Sequence, residues 1–100
     1  MTDRFETAFR IGRDHPALPG HFPGRPVVPG VVLLAEVAAA ARAAFALGEP
    51  TGVPRAKFAA PVPPEEEVRL ALTLIAPGRV GFGCHLGARL AASGEMTFAP

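Results

Sequence analysis

Few side chains in this sequence can move protons or attack a substrate: three histidines, one cysteine and nine acids in 100 residues. His21 is set apart by its surroundings. It lies in Gly20-His21-Phe22-Pro23-Gly24-Arg25-Pro26-Val27-Val28-Pro29-Gly30-Val31, and the stretch from His15 to Gly30 holds five prolines and three glycines. Each proline removes a backbone donor and disfavours helix at the residue before it, so this is ordered loop of fixed shape rather than a linker. Imidazole is the usual group for general acid–base work near neutrality. His15 precedes Pro16 without such a motif and reads as a loop or surface residue, and His85 falls on the polar face of a strand. Cys84 lies on an apolar face and reads as a small core residue. As the only cysteine it excludes an intramolecular disulfide and any multi-cysteine metal site. The histidines are too scattered for a metal centre, so no metal and no cofactor is expected. Glu36 reads as a helix charge paired with an arginine or as a catalytic acid, and the run Glu65 to Glu67 as a solvated turn and strand start.

Those groups need elements to position them. From Arg4 to Ile11 the apolar residues Phe5, Thr7, Phe9 and Ile11 alternate with polar ones, the pattern of a half-buried strand. Val31 to Leu47 has no proline or glycine and is mostly alanine, leucine and valine, which predicts a helix with Pro29 at or near its first turn and Gly48 as its stop. That helix is apolar nearly all round, with Glu36 and Arg42 as its charges, so other elements must enclose it. A short extended segment around Ala56 to Ala60 follows, then Glu67 to Ala76, then Val80 to Leu86 and a last strand carrying Leu90, Ala92, Met96 and Phe98. Pro77-Gly78 and Gly87-Ala88 are the turns between them. One strand, a loop, one long helix and four strands make a single α+β domain over residues 1–100, a helix wrapped by an antiparallel sheet.

Composition removes other classes. A hydrophobic fraction of 49% and a charged fraction of 19% suit a globular chain. A net charge of +1 gives no case for a nucleic-acid partner. Glu36 and Arg42 interrupt the longest apolar run, so no membrane span is expected. The first 20 residues show no apolar secretory core, and a cytoplasmic protein is the expectation.

The Gly20–Val31 segment resembles the signature of the 3-hydroxyacyl-acyl carrier protein dehydratases. Lys57-Phe58, Pro61-Val62 and Pro64 resemble a second block of that family, in the same order with the helix between. Within it the chain is similar to the short branch linked to aryl polyene and related lipid pathways. The resemblance implies the hot-dog fold, side-by-side pairing as a homodimer or as a heterodimer with a homologue, and active sites at the dimer interface. It implies an acyl carrier protein bearing a 3-hydroxyacyl chain as the partner.

Removing water from such a thioester needs a base for the C2 proton, donors for the charge developing on the thioester oxygen, and an acid for the departing hydroxyl. The resemblance assigns the base to His21 and the donor to the N–H of Gly30. Phe22, Pro23, Gly24, Val28, Pro29 and Val31 are the expected substrate-binding walls, and Arg25 the expected contact to an acidic carrier. In the family the acid stands fourteen residues after the histidine. Here that position is Ala35, and Glu36 is one helical step of about 100° away. Two alternatives follow: an acyl thioesterase on the same fold, or a catalytically degenerate subunit that pairs with an active homologue.

Overall fold

The computed structural model describes residues 3–18 and 27–100. In chain order it contains β1 (Arg4–Phe9), α1 (Gly30–Phe45), β2 (Pro50–Phe58), β3 (Val68–Ala76), β4 (Arg79–Leu86) and β5 (Arg89–Phe98). The five strands form one antiparallel sheet in the order β1-β3-β4-β5-β2. The centre of that sheet follows from period-two alternation. Val68, Leu70 and Leu72 on β3, Val80, Phe82 and Cys84 on β4, and Met96 and Phe98 on β5 are all buried. They meet Val32, Leu33, Val37 and Ala41 of α1 in one core. Each fully buried Leu or Val contributes about 1.5–3 kcal/mol by leaving water.

Several expectations are corrected. The helix ends earlier than Leu47, at Ala46, which takes the left-handed conformation (φ 53, ψ 47) and donates its N–H to the Arg42 carbonyl. Gly48 has a different task, since a Cβ there would meet the Ala99 carbonyl oxygen at 2.8 Å while its N–H bonds that same oxygen at 3.0 Å. The segment expected around Ala56 to Ala60 is a nine-residue strand, β2, that begins at Pro50 and ends at Phe58. Its two prolines are tolerable because β2 is an edge strand. A register shift after the Cys84–Ala92 pair buries both Ala91 and Ala92 and turns Leu90 outward, where it is 43% exposed.

Nor does one chain enclose its helix. Val31, Ala35, Ala39, Arg42 and Ala43 are exposed along one side of α1, and Val31 is 72% exposed. The all-apolar composition marks a surface that a single copy leaves open. β2 is exposed along its whole length, and among the described residues its second edge is unpaired. Glu65, expected in a solvated turn, holds a left-handed φ of 70 and ties the segment after β1. Its N–H bonds the Ile11 carbonyl at 2.8 Å and its Oε2 accepts the Arg13 N–H at 2.8 Å.

Cys84 is wholly buried, and burial pushes its thiol from 9.0 up to about 11. The folded state therefore holds this proton more tightly than the unfolded chain. Its contribution to stability is complete below pH 9 and is lost as pH rises toward 11. The urea midpoint should fall across that window, and Cys84→Ala should remove part of the fall; equal falls in both proteins would contradict the assignment. A neutral buried thiol is also a poor nucleophile.

Candidate active site

Pro29 caps α1 with an extended backbone (φ −61, ψ 147) and no side-chain cap. Its carbonyl accepts the N–H of Val32 at 3.0 Å and of Leu33 at 3.3 Å. The N–H groups of Gly30 and Val31 precede the first helical bond, and among the described residues no backbone carbonyl takes them. No acidic side chain stands in the first turn to neutralise this end of the helix dipole. Two donors at a positive helix end that no described carbonyl takes suit an oxygen that gains negative charge during a reaction.

An apolar cavity of about 550 Å³ opens beside these donors. One wall is the lead-in to the helix, Val27 to Val31, with Leu33 and Leu34; the other is Phe58 to Val62, the segment that follows β2. Backbone bonds fix the two walls in relation to the sheet. Val28 N–H donates to the Val62 carbonyl at 2.8 Å, and Ala59 and Ala60 both donate to the Ala91 carbonyl at 2.8 and 3.2 Å. The Phe58 ring lies directly on Gly30, where a Cβ would stand 2.8 Å from the ring Cζ. A side chain at position 30 would have to push this ring aside. Among the described residues the lining is apolar and carries no titratable side chain, which suits an apolar chain.

A second cavity of about 430 Å³ adjoins the first across Val31 and is lined by His15, Ala17, Val31, Val32, Ala35 and Glu36. The imidazole of His15 is half-buried, with Nδ1 accepting the Ala17 N–H at 3.1 Å.

The structure thus brings four expected site residues together: Val28, Pro29, Gly30 and Val31 share the first cavity. Glu36 lies in the second with Val31 and Ala35, apart from Val28, Pro29 and Gly30. His21, Phe22, Pro23, Gly24 and Arg25 lie outside the described residues. Sequence reasoning missed two features. Phe58 to Val62 form half of the first cavity, and the signal available was the Lys57-Phe58 and Pro61-Val62 block, quoted above as a mark of resemblance without a role. His15 was read as a loop or surface residue, and no local pattern ties it to Glu36 some twenty residues away.

Comparison with known proteins bears on the fold and the family. The family model described as ApeI-like, ApeI dehydratase, matches residues 1–95. The chain is 33% identical to the 3-hydroxyacyl-acyl-carrier-protein dehydratase FabZ of Symbiobacterium thermophilum, with 89% of this chain and 71% of that one covered. Among solved structures it is similar to the dehydratase heterocomplex ApeI:P from Xenorhabdus doucetiae, at a TM-score of 0.85 and 19% identity, covering 100% of this chain and 90% of the other. It is also similar to the fluoroacetyl-CoA-specific thioesterase FlK, at a TM-score of 0.68 and 18% identity, covering 96% and 83%. At those identities the two structures show the fold alone, and that fold is the expected hot dog. The sequence matches go further, because the family model covers residues 1–95, from β1 through α1 into β5, and by them this chain belongs to the ApeI-like dehydratase family.

Proposed function

We propose that this protein removes water from a 3-hydroxyacyl thioester carried on acyl carrier protein, giving the trans-2-enoyl thioester. The observation that carries the reading is the juxtaposition of the Gly30 and Val31 N–H groups, which no described carbonyl takes, with an apolar cavity of about 550 Å³. The thioester oxygen docks on the Gly30 N–H, and the acyl tail lies between Val28, Val31 and the wall from Phe58 to Val62. Charge that develops on that oxygen as the C2 proton leaves is met by the donor and the helix dipole together. His21 takes the C2 proton, Glu36 supplies the acid that Ala35 lacks, and Arg25 meets the acidic carrier. With a carrier-bound substrate, the place of the reaction is the cytoplasm.

The test is direct. The purified chain should convert a 3-hydroxyacyl pantetheine thioester to the 2-enoyl thioester without releasing free thiol. Thiol release without enoyl product would favour the thioesterase alternative.

A second reading rests on Ala35 and the open side of α1. In it the chain is the acid-lacking member of a heterodimer; the Xenorhabdus dehydratase is itself a heterocomplex. Both readings require pairing. The unpaired β2 edge carries Val53 at 42% and Phe58 at 50% exposure, a combination that isolated domains avoid. Light scattering at micromolar concentration should therefore give twice the 10.4 kDa of one chain, or that mass once a homologous partner is added. A stable monomer under both conditions would count against a shared site.

A further inference from the structure

Two proton-handling side chains meet in the cavity beyond Val31, and neither occupies the position where the family resemblance places an acid. Glu36 comes from α1 and His15 from the segment after β1, and both line the 430 Å³ space beside Ala35. Val31 is common to this space and to the acyl cavity, so one substrate can enter both by crossing a single side chain.

His15 is held in place. Glu65 anchors the segment before it, through the Arg13 N–H at 2.8 Å and through the Arg10 guanidinium, which donates to the Glu65 carbonyl at 2.7 Å. The His15 N–H bonds the Gly12 carbonyl at 3.1 Å, and the His15 carbonyl accepts the N–H of buried Leu18 at 3.0 Å. The ring is oriented too, because Nδ1 accepts the Ala17 N–H. A neutral imidazole whose Nδ1 is an acceptor carries its proton on Nε2, so its remaining nitrogen is a donor. Among the described residues no hydrogen bond or ion pair joins His15 to Glu36. The space they share is open to a third group.

We propose that His15 and Glu36 together receive the substrate's 3-hydroxyl group, His15 donating its Nε2–H to the hydroxyl oxygen and Glu36 delivering the proton. This assignment of His15 rests on the dehydration reading above and gives it a two-residue substitute for the carboxyl absent at position 35. In the step itself the C2–H electron pair becomes the C2–C3 double bond as His21 takes the proton. The C3–O bond breaks, and the departing oxygen takes the proton of the Glu36 carboxyl and leaves as water. The His21 imidazolium then returns its proton through solvent to the Glu36 carboxylate, and both groups are restored.

Two pantetheine thioesters test it, 3-hydroxybutyryl and 3-fluorobutyryl, since fluoride departs as a stable anion whereas hydroxide must be protonated. The readout is the ratio of water elimination to fluoride elimination. His15→Ala and Glu36→Gln should each lower that ratio by about 10²-fold, the usual loss for one acid or one well-placed donor. His15→Gln, which keeps a donor at a similar reach, should recover part of it. A ratio unchanged in His15→Ala, or equal losses on both substrates, overturns the role of His15. Should the parent chain eliminate neither group, the dehydration reading itself fails. The hydroxyl site is then decided by ligand binding. The amide analogue of the 3-hydroxybutyryl substrate should shift the His15 ring resonances, and the butyryl amide should not. Identical shifts with the two amides overturn the proposal.

Discussion

His21→Ala should reduce enoyl thioester formation by about 10²–10⁴-fold, the range that general base catalysis supplies. The fold should survive, because the core of the described residues packs α1 and the sheet together with Ile11, Leu18, Val28 and Val62. Circular dichroism and the thermal midpoint are therefore expected to stay near those of the parent. The Gly30 and Val31 N–H groups and the cavity beside them remain in the variant, so substrate binding should change far less than turnover. The loss should appear in kcat with KM nearly constant, the pattern of a group that acts in the transition state rather than in the bound ground state. Turnover at the parental rate in a folded His21→Ala protein would remove this histidine from the mechanism.

Much of the fold was legible because period-two alternation and turn chemistry are local. Val68, Leu70 and Leu72 opposite Arg69 and Thr73 could only be a half-buried strand, and Gly87-Ala88 forms the expected two-residue turn with Gly87 at φ 58. Only the end of β2 was legible, as the extended segment around Ala56, because its burial pattern carries no alternation: all nine residues are exposed in one chain, and Pro50, Gly52 and Pro54 are poor strand formers. Its strand character comes from β5 alone, through pairs from Pro50–Phe98 to Phe58–Ala92. There Gly94 admits the Arg55 backbone so closely that no Cβ would fit. Leu90 was misassigned for a related reason. A bulge shifts the period by one residue, and nothing in Arg89-Leu90-Ala91-Ala92 announces it.

The site was legible in halves. The helix cap and the residues leading into it form one contiguous segment, so Val28, Pro29, Gly30 and Val31 could be named together from sequence. The opposite wall is some thirty residues away, and β2 and the Ala91 carbonyl bring it into place. His15 depends on long-range contacts in the same way, since Glu65 fixes its segment from 50 or so residues downstream. The helix composition overstated enclosure, since period and composition cannot tell which apolar side other elements cover. Val31, Ala35 and Ala39 are apolar without being buried in a single copy.

Glu36→Gln should lower dehydration by about 10²–10³-fold, and Ala35→Asp should rescue it. The two positions line one cavity, so a carboxyl at 35 reaches the space that Glu36 serves. Ala35 is exposed within the chain, so an aspartate there meets little desolvation until a partner covers it. Adjacent helix positions do not face each other, so an aspartate beside Glu36 adds little repulsion. Ala35→Asp alone should then change activity only slightly, because the parent already has its acid. The double variant should recover at least about tenfold over Glu36→Gln, a non-additivity that marks two residues serving one role. The alternatives give other patterns. If the family position is the only competent one, Ala35→Asp raises activity in the parent and Glu36→Gln is harmless. If the chain is the acid-lacking half of a heterodimer, neither change matters to the isolated protein, and turnover appears only after a homologue is mixed in. Parental activity in Glu36→Gln, with no partner present, would refute the assignment of Glu36 as the acid.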